Sequence, residues 1–376
     1  MAQQLRIGLF LHAWHSYVRE VLGGIREAAA DKHWEMYAPW AGMDHWPDPH
    51  ELRLAGLIVG TGAKASEEFD CPGLPQVRIG TQLLAESPVD VTWDNARIGA
   101  LAAEHLMDQG HRTLCVWREL GFVYQQERAD GFCAAVEAAG LPVRTVTPPT
   151  ESAEDRLQQL AELPEPCGLF CVSDRIGHEL MRLAERVGRR VPESLAVVGA
   201  GNDEDYCELA APPMSSVALP GRQAGRAAVE VLAAKLAEPA AAMPTICVPP
   251  TYVAVRRSSD LLAIDDLEVL RALRAIRDEA VDGLTVAQIH KSATVSRRNL
   301  EQRFKRVVGR SIGQEITRVR HREACRLLTV SRASVADVAD RCGFSTPQRF
   351  AAAFAQQQGC SPSAFRAQTT GTPRDG

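Results

Sequence analysis

A repeat of two similar segments near the C-terminus constrains the fold of this chain more than any other feature. SRRNLEQRFKRVVGRSI, residues 296–312, aligns with TPQRFAAAFAQQQGCSP, residues 346–362. Each segment begins with a hydroxyl residue, continues with apolar residues four apart, and ends at Gly309 or Gly359. A hydroxyl side chain caps the free amides of a first helical turn, and glycine suits the left-handed position after a helix. Each segment is therefore predicted to be one helix with a buried apolar stripe.

The residues before each of these helices repeat as well. TVAQI, which begins at Thr285, and SVADV, which begins at Ser334, place Gln288 or Asp337 three residues after a hydroxyl residue. This spacing is typical of a capping box at the start of a short helix. A short helix, a turn and a longer helix therefore occur twice, which predicts two helix-turn-helix units. A long helix is predicted between them, over residues 312–328.

Charge separates this C-terminal region from the rest of the chain. The 376 residues carry a net charge of −5, but residues 265–376 contain 19 Lys and Arg against 12 Asp and Glu. Residues 1–264 contain 23 Lys and Arg against 35 Asp and Glu. A basic domain on an acidic body favours a polyanionic partner for the basic domain alone.

With these features, the region from Glu268 to Arg366 resembles the DNA-binding domain of AraC/XylS-type transcription regulators. The motifs that carry the resemblance are LEQRFKRVVGRS, R-x-x-x-A-C-R-L-L, VADVADRCGFSTPQRFAAAF and GCSPSAFR. The resemblance implies that the longer helix of each unit enters the major groove of double-stranded DNA with its first turns. Base contacts are then expected from Arg298, Glu301, Gln302, Gln348 and Arg349.

Four further basic residues of the first unit are expected to bind phosphates, which give affinity and register but no sequence information. These residues are Arg297, Arg303, Lys305 and Arg306. Three alanines, residues 351–353, follow Arg349 and cannot form hydrogen bonds to bases. The second unit is therefore expected to discriminate less between sequences than the first.

The first two thirds of the chain alternate short apolar runs with helical patterns. The runs are LRIGLFL, LAGLIVG, PQVRIG, TLCVW, GLFCVS and LAVVGAG. This alternation predicts parallel sheets covered by helices, with ligands bound at the carboxyl ends of the strands.

Several ordered motifs of this body resemble the periplasmic-binding-protein-like effector domain of LacI/GalR-type repressors. They are VTWDNARIGALAAEHLMDQGHRTLCVW, ERADGF, VSDRIGHELMRLAERVGRRVPESLAVVGAGND and PPMSSVALPGRQAGRAAVEVL. The resemblance implies two lobes, three connecting segments and a small-molecule effector, usually a sugar. Those repressors carry their helix-turn-helix before this domain, whereas here it follows, an order similar to XylR-type regulators of xylose operons.

The same resemblance assigns candidate effector-binding residues. Arg128 is expected to grip ligand hydroxyls, and Asp174 is either an acid of the binding site or the cap of a helix. Trp14 is expected to stack on a sugar ring or to pack in the core. Gly201 stands where sugar-binding relatives have a carboxylate, so Asn202 and Asp203 are the neighbouring candidates for that role.

The predicted architecture is a two-lobe α/β domain over residues 1–258, a linker over 259–267, an all-α DNA-binding domain over 268–368 and a disordered tail over 369–376. No stretch is apolar enough for a membrane span, and the ten scattered cysteines indicate a reducing compartment, so a cytoplasmic location is expected. We expect a homodimer that binds DNA, a sugar and RNA polymerase, with no cofactor and no metal.

Two alternatives to a sugar-responsive regulator follow from the same residues. One is an enzyme built on the α/β body, although the chain has no G-x-S-x-G, Walker A or G-x-G-x-x-G motif at the expected places. The other is a DNA-binding regulator whose body is a ligand-independent interaction domain, an alternative that Gly201 keeps open.

Overall fold

The computed structural model describes residues 4–11, 16–38, 51–60, 71, 73–80, 89–119, 121–150, 152–239, 243–260, 266–331 and 333–370. These residues form two compact units. The first comprises Met1–His105 and Arg112–Asp260, and the second comprises Leu106–His111 and Leu261–Gly376. The predicted linker and tail lie largely outside the described residues, and the predicted domain boundaries stay predictions.

Twelve strands occur in the described ranges, all in the first unit. They are β1 (Arg6–Phe10), β2 (Glu35–Tyr37), β3 (Gly56–Gly60), β4 (Gln76–Ile79), β5 (Val91–Trp93), β6 (Leu114–Trp117), β7 (Val143–Val146), β8 (Cys167–Cys171), β9 (Leu195–Gly201), β10 (Ser215–Ala218), β11 (Ile246–Val248) and β12 (Val253–Ala254).

Fourteen helices occur in the described ranges. They are α1 (Ser16–Asp31), α2 (Asn95–Asp108), α3 (Val123–Ala138), α4 (Ala153–Ala161), α5 (Asp174–Ala184), α6 (Glu204–Glu208), α7 (Gly221–Ala237), α8 (Leu267–Glu279), α9 (Val286–Ser292), α10 (Arg297–Val308), α11 (Ile312–Val330), α12 (Val335–Arg341), α13 (Pro347–Gln358) and α14 (Pro362–Thr370). Short 3-10 helices add Glu185–Val187 and Arg257–Ser259.

The strands of the first unit form two six-stranded sheets. One sheet has the order β11-β5-β4-β3-β1-β2 and is parallel throughout. The other has the order β12-β10-β9-β8-β6-β7 and is parallel except for β12, which runs antiparallel to β10. The chain passes from one sheet to the other after β5, β10 and β11. The predicted two-lobe α/β body with three connecting segments is therefore confirmed.

The helices of the second unit enclose two hydrophobic cores, one for each helix-turn-helix. Leu300 and Phe304 are fully buried in the first core together with residues of α8 and α9. Phe350 and Phe354 are buried in the second core, where Phe365 of α14 joins them. Helix α11 contributes its N-terminal half to the first core and its C-terminal half to the second.

The predicted helix ends are also confirmed. Both capping boxes form, at Thr285 with Gln288 and at Ser334 with Asp337. Gly309 ends α10 with a φ of 84°, in the left-handed region that favours glycine.

Candidate DNA-binding helices and effector site

The apolar stripe of α10 fixes which side chains the first helix-turn-helix presents to solvent. The Ser296 hydroxyl accepts a hydrogen bond from the Asn299 amide at 3.4 Å and so caps the helix. Leu300 and Phe304, four residues apart, are 0% exposed and turn one face of the helix into the core. Five of the predicted DNA contacts of α10 are exposed, namely Arg297, Arg298, Gln302, Lys305 and Arg306.

Two other predicted DNA contacts of α10 have partners within the domain. Glu301 is half-buried, and its Oε1 lies 3.1 Å from Nε2 of His290 on α9. Arg303 forms two hydrogen bonds to Asp266, from Nε at 2.7 Å and from Nη2 at 2.5 Å. The Arg303 guanidinium lowers the pKa of the Asp266 carboxyl. A DNA contact by either residue stays a prediction. For Arg303, such a contact requires that the guanidinium bind DNA while it keeps its hydrogen bonds to Asp266.

Helix α8 holds the first helix-turn-helix in place through two acidic residues that sequence reasoning missed. Asp266 accepts the amides of Glu268 and Val269, each at 3.2 Å, which caps α8 in addition to the contact with Arg303. Glu268 accepts the Thr294 amide at 3.0 Å and the Thr294 hydroxyl at 2.9 Å, in the turn between α9 and α10. The start of α8 is thus tied both to the turn and to the recognition helix.

The second recognition helix, α13, presents a smaller set of polar side chains. Pro347 occupies its first turn and the Thr346 hydroxyl accepts the Arg349 amide at 3.2 Å. Gln348 and Arg349 are exposed, as a base contact requires, and Arg349 Nη1 donates to the Ser345 hydroxyl at 3.3 Å. The second unit is expected to discriminate less between DNA sequences because three alanines follow Arg349, and this expectation stays a prediction.

Arg128 is the central residue of the candidate effector site. Its side chain is buried, with 2% exposure. Nε donates to Asn95 Oδ1 at 3.0 Å, and Nη1 donates to the carbonyl of Val172 at 2.7 Å, directly after strand β8. The guanidinium lies 5.0 Å from the centroid of the Tyr124 ring. Arg128 is therefore held at the carboxyl edge of the second sheet, where parallel α/β folds bind their ligands.

Two glycines set the position of Arg128 by letting α2 and α3 approach closely. A Cβ on Gly99 of α2 would lie 1.9 Å from the carbonyl oxygen of Arg128. A Cβ on Gly131 of α3 would lie 2.1 Å from the carbonyl oxygen of Ala96. Only glycine fits at these positions, and the short helix separation brings Asn95 within hydrogen-bonding distance of Arg128.

Asp174 is buried, and both of its carboxylate oxygens have partners in the chain. Oδ1 accepts the Ser216 hydroxyl at 2.6 Å, and Oδ2 accepts the Asp203 amide at 2.8 Å. Burial raises the pKa of Asp174 to about 6, although these hydrogen bonds favour the charged form. The helix cap is the preceding residue, Ser173, so Asp174 fastens the loop after β9 and does not cap α5.

Gly201 lies against this carboxylate. A Cβ at Gly201 would lie 2.7 Å from Asp174 Oδ2, and a Cβ at Gly199 would lie 2.2 Å from Oδ1. Gly201 also has a φ of 141°, which L side chains rarely adopt. The position therefore excludes a side chain, and Asp174 occupies the space beside it.

The residues after Gly201 are engaged with the chain as well. Asn202 adopts a φ of 51°, and its Oδ1 accepts Arg256 Nη1 at 2.9 Å. Asp203 is 5% exposed, and its carboxylate accepts the Asp205 amide at 3.2 Å, at the start of α6. Effector binding by Asn202, Asp203 and Asp174 stays a prediction. Trp14 lies outside the described residues.

Within the described ranges no cluster of three or more His, Cys, Asp or Glu side chains could hold a metal ion. None of the helices in the same ranges is both long and apolar enough to cross a membrane.

Both the α/β body and the helix-turn-helix region of the chain match known protein families. The profile of a periplasmic binding protein-like domain matches residues 103–259, and that of a helix-turn-helix domain matches residues 289–368. The xylose operon regulatory protein of Escherichia coli K12 is 27% identical over 388 residues, which cover 96% of each chain. The protein of the same name from Haemophilus influenzae is 26% identical and covers 97% of this chain and 98% of its own.

Solved structures agree with these sequence matches. The structure of the xylose-binding transcription activator xylR is 27% identical, with a TM-score of 0.59, and covers 97% of this chain and 98% of its own. The complex of the transcriptional regulator CelR with cellobiose, at 22% identity and a TM-score of 0.53, covers 69% of this chain and 86% of its own and shows the fold alone.

The fold and the paired recognition helices define a DNA-binding transcription regulator with a periplasmic-binding-protein-like effector domain. Its relatives over nearly the full chain are regulators, so the alternative of an enzyme on the α/β body is wrong. The chain is XylR-like: a periplasmic binding protein-like domain is followed by a helix-turn-helix domain, and the likeness to xylose operon regulators extends over nearly the whole chain.

Proposed function

We propose that this regulator responds to a sugar and activates a carbohydrate catabolic operon. The sugar binds at the carboxyl edges of the strands around Arg128 and changes how paired DNA-binding domains engage the operator. The relatives named for the xylose operon and for xylose binding support this proposal. The protein acts in the cytoplasm as a homodimer that contacts RNA polymerase.

One observation carries the DNA-binding half of the proposal most directly. Arg298 projects from the first turn of α10, is exposed, and makes no side-chain hydrogen bond or ion pair to any described residue. An unengaged arginine at the N-terminal turn of a recognition helix can pair bidentately with O6 and N7 of guanine.

The effector half of the proposal requires a ligand with different affinities for two conformations of the body. The body consists of two lobes joined by three segments, an arrangement that can alter its lobe geometry when a ligand bridges the lobes. Binding of the sugar then changes the affinity for DNA, and binding of DNA changes the affinity for the sugar by the same factor.

Replacing Arg298 with alanine should weaken binding to the specific site by about 1–3 kcal/mol and relax the preference at one base pair. The duplex is selected in vitro from random sequences with the intact protein, and binding is measured by fluorescence anisotropy over a range of salt concentrations. Arg274→Ala is the matched control, because Arg274 is an exposed arginine on α8, outside both recognition helices.

Arg274→Ala should leave the preference unchanged. Equal weakening of Arg298→Ala on specific and random duplexes would make Arg298 a phosphate contact. If Arg298→Ala bound the selected duplex as tightly as the unmodified protein, the proposed placement of the first turn of α10 in the major groove would be contradicted.

A further inference from the structure

A group of side chains, here called the effector cluster, consists of Arg128, its neighbours Tyr17, Tyr124 and Asp174, and Trp93, which contacts Tyr17. The rings of Tyr17 and Trp93 meet edge to face, with centroids 5.4 Å apart. Tyr124 stacks on the Arg128 guanidinium at 5.0 Å. Burial raises the pKa of Tyr17 to about 12, and the nearby charge of Arg128 opposes that shift. The cluster therefore joins α1 and β5 of the first lobe to α3 and α5 of the second.

The cluster contains buried hydrogen-bond donors that lack partners. Arg128 is 2% exposed, and among the described residues its Nη2 has no acceptor. Trp93 is also 2% exposed, and its Nε1 likewise has no acceptor in the described part of the chain. A buried donor without a partner is destabilising, so these atoms favour a ligand that brings acceptors.

The acidic groups of the same region are already engaged. Asp174 accepts one hydrogen bond at each oxygen, from Ser216 and from Asp203. The Asp203 carboxylate accepts the Asp205 amide. Gly201 excludes any side chain, because a Cβ there would lie 2.7 Å from Asp174 Oδ2. The carboxylates of Asp174 and Asp203 are therefore each held by hydrogen bonds within the chain, whereas the donors Nη2 of Arg128 and Nε1 of Trp93 have no acceptor among the described residues.

We propose that the effector is an acidic monosaccharide whose carboxylate binds Nη2 of Arg128. This inference rests on the proposed sugar response and specifies its ligand class. A carboxylate only accepts hydrogen bonds, so it satisfies the unpaired donors without needing an acceptor in return. A charged hydrogen bond to a buried guanidinium is also stronger than one to a neutral hydroxyl. The half-buried rings of Tyr17 and Tyr124 supply the apolar surface against which the sugar ring packs.

The test is calorimetric titration of the intact protein with two matched pairs that keep the sugar ring, D-glucuronate against D-glucose and D-galacturonate against D-galactose. At least one acid should bind about tenfold or more tightly than its neutral partner. In Arg128→Gln this preference should vanish. If Arg128→Gln does not fold, Arg128→Lys is titrated instead. This variant keeps the charge and should retain part of the preference for the acid.

Arg19→Gln is the control variant, because Arg19 is exposed on α1 and the substitution removes the same charge. It should leave the preference intact, and loss of the preference in this variant would assign it to overall charge and overturn the proposal. A neutral sugar that binds as tightly as its acid would overturn the proposed ligand class while supporting a sugar response. If none of the four compounds binds more tightly than about 1 mM, both the ligand class and the sugar response fail for these sugars.

Discussion

Replacing Gly131 with alanine is expected to destabilise the effector domain by about 2–3 kcal/mol and to weaken effector binding at least about tenfold. The new Cβ would lie 2.1 Å from the Ala96 carbonyl oxygen and 2.6 Å from the Ala96 Cα. Both are backbone atoms, so relief requires that α2 and α3 move apart. That movement lengthens the 3.0 Å hydrogen bond from Arg128 Nε to Asn95 and displaces the guanidinium.

Urea denaturation and calorimetric titration measure the two effects of Gly131→Ala. Gly23→Ala is the matched control, since a Cβ at this helical glycine meets the Arg222 side chain no closer than 3.4 Å. An alanine in a helix interior is favoured over glycine by up to about 1 kcal/mol, so the control should be neutral or stabilising. If Gly131→Ala were as stable as the control, close packing of α2 and α3 would not position Arg128.

Replacing Phe304 with alanine is expected to cost the DNA-binding domain about 3–5 kcal/mol and to abolish specific DNA binding. Phe304 is 0% exposed and lies in the core that joins α8, α9, α10 and α11. Its loss leaves a cavity beneath the recognition helix, so the exposed face of α10 is no longer held against α8 and α9. Chemical denaturation of the intact protein and anisotropy on the selected duplex measure the two effects.

Gln302→Ala separates stability from recognition on the same helix. Gln302 is exposed, so its removal should leave stability within about 0.5 kcal/mol while it weakens binding to the selected duplex. Equal stability of Phe304→Ala and Gln302→Ala would contradict the assignment of the buried and exposed faces of α10.

The sequence predicted the DNA-binding domain well because its signals are local. Ser296 and Gly309 mark the ends of α10 by the hydrogen bond and the backbone angle that their residue types favour. The long helix predicted over residues 312–328 is Ile312–Val330. Each of these features depends on residues within four positions of one another, a distance over which helix capping and apolar spacing act.

The strands of the body were predicted less completely. The six apolar runs correspond to β1, β3, β4, β6, β8 and β9, but short strands such as β5 (Val91–Trp93) and β11 (Ile246–Val248) were missed. A strand of three residues that includes a polar or exposed one is too short to show the alternation of apolar and polar residues that predicts a strand. Its place in the sheet depends on pairing with strands distant in sequence.

The geometry of the effector site depends on contacts between residues far apart in sequence. The motifs identified Arg128 and Asp174, but not the hydrogen bond by which Asn95 holds Arg128 from 33 residues away. The contact of Arg303 with Asp266 spans 37 residues and was missed for the same reason. No spacing rule relates such pairs, because helix packing at Gly99 and Gly131, and at the start of α8, brings them together.

The central claim is that effector binding and DNA binding are coupled in one chain. It is tested most directly by the affinity of the intact protein for the selected duplex, measured by anisotropy with and without a saturating sugar that calorimetry has shown to bind. We expect the affinity to change at least about fivefold with the sugar, and the sugar to leave it unchanged in Arg128→Gln. An affinity for the duplex that stays the same when the sugar is bound would contradict the account.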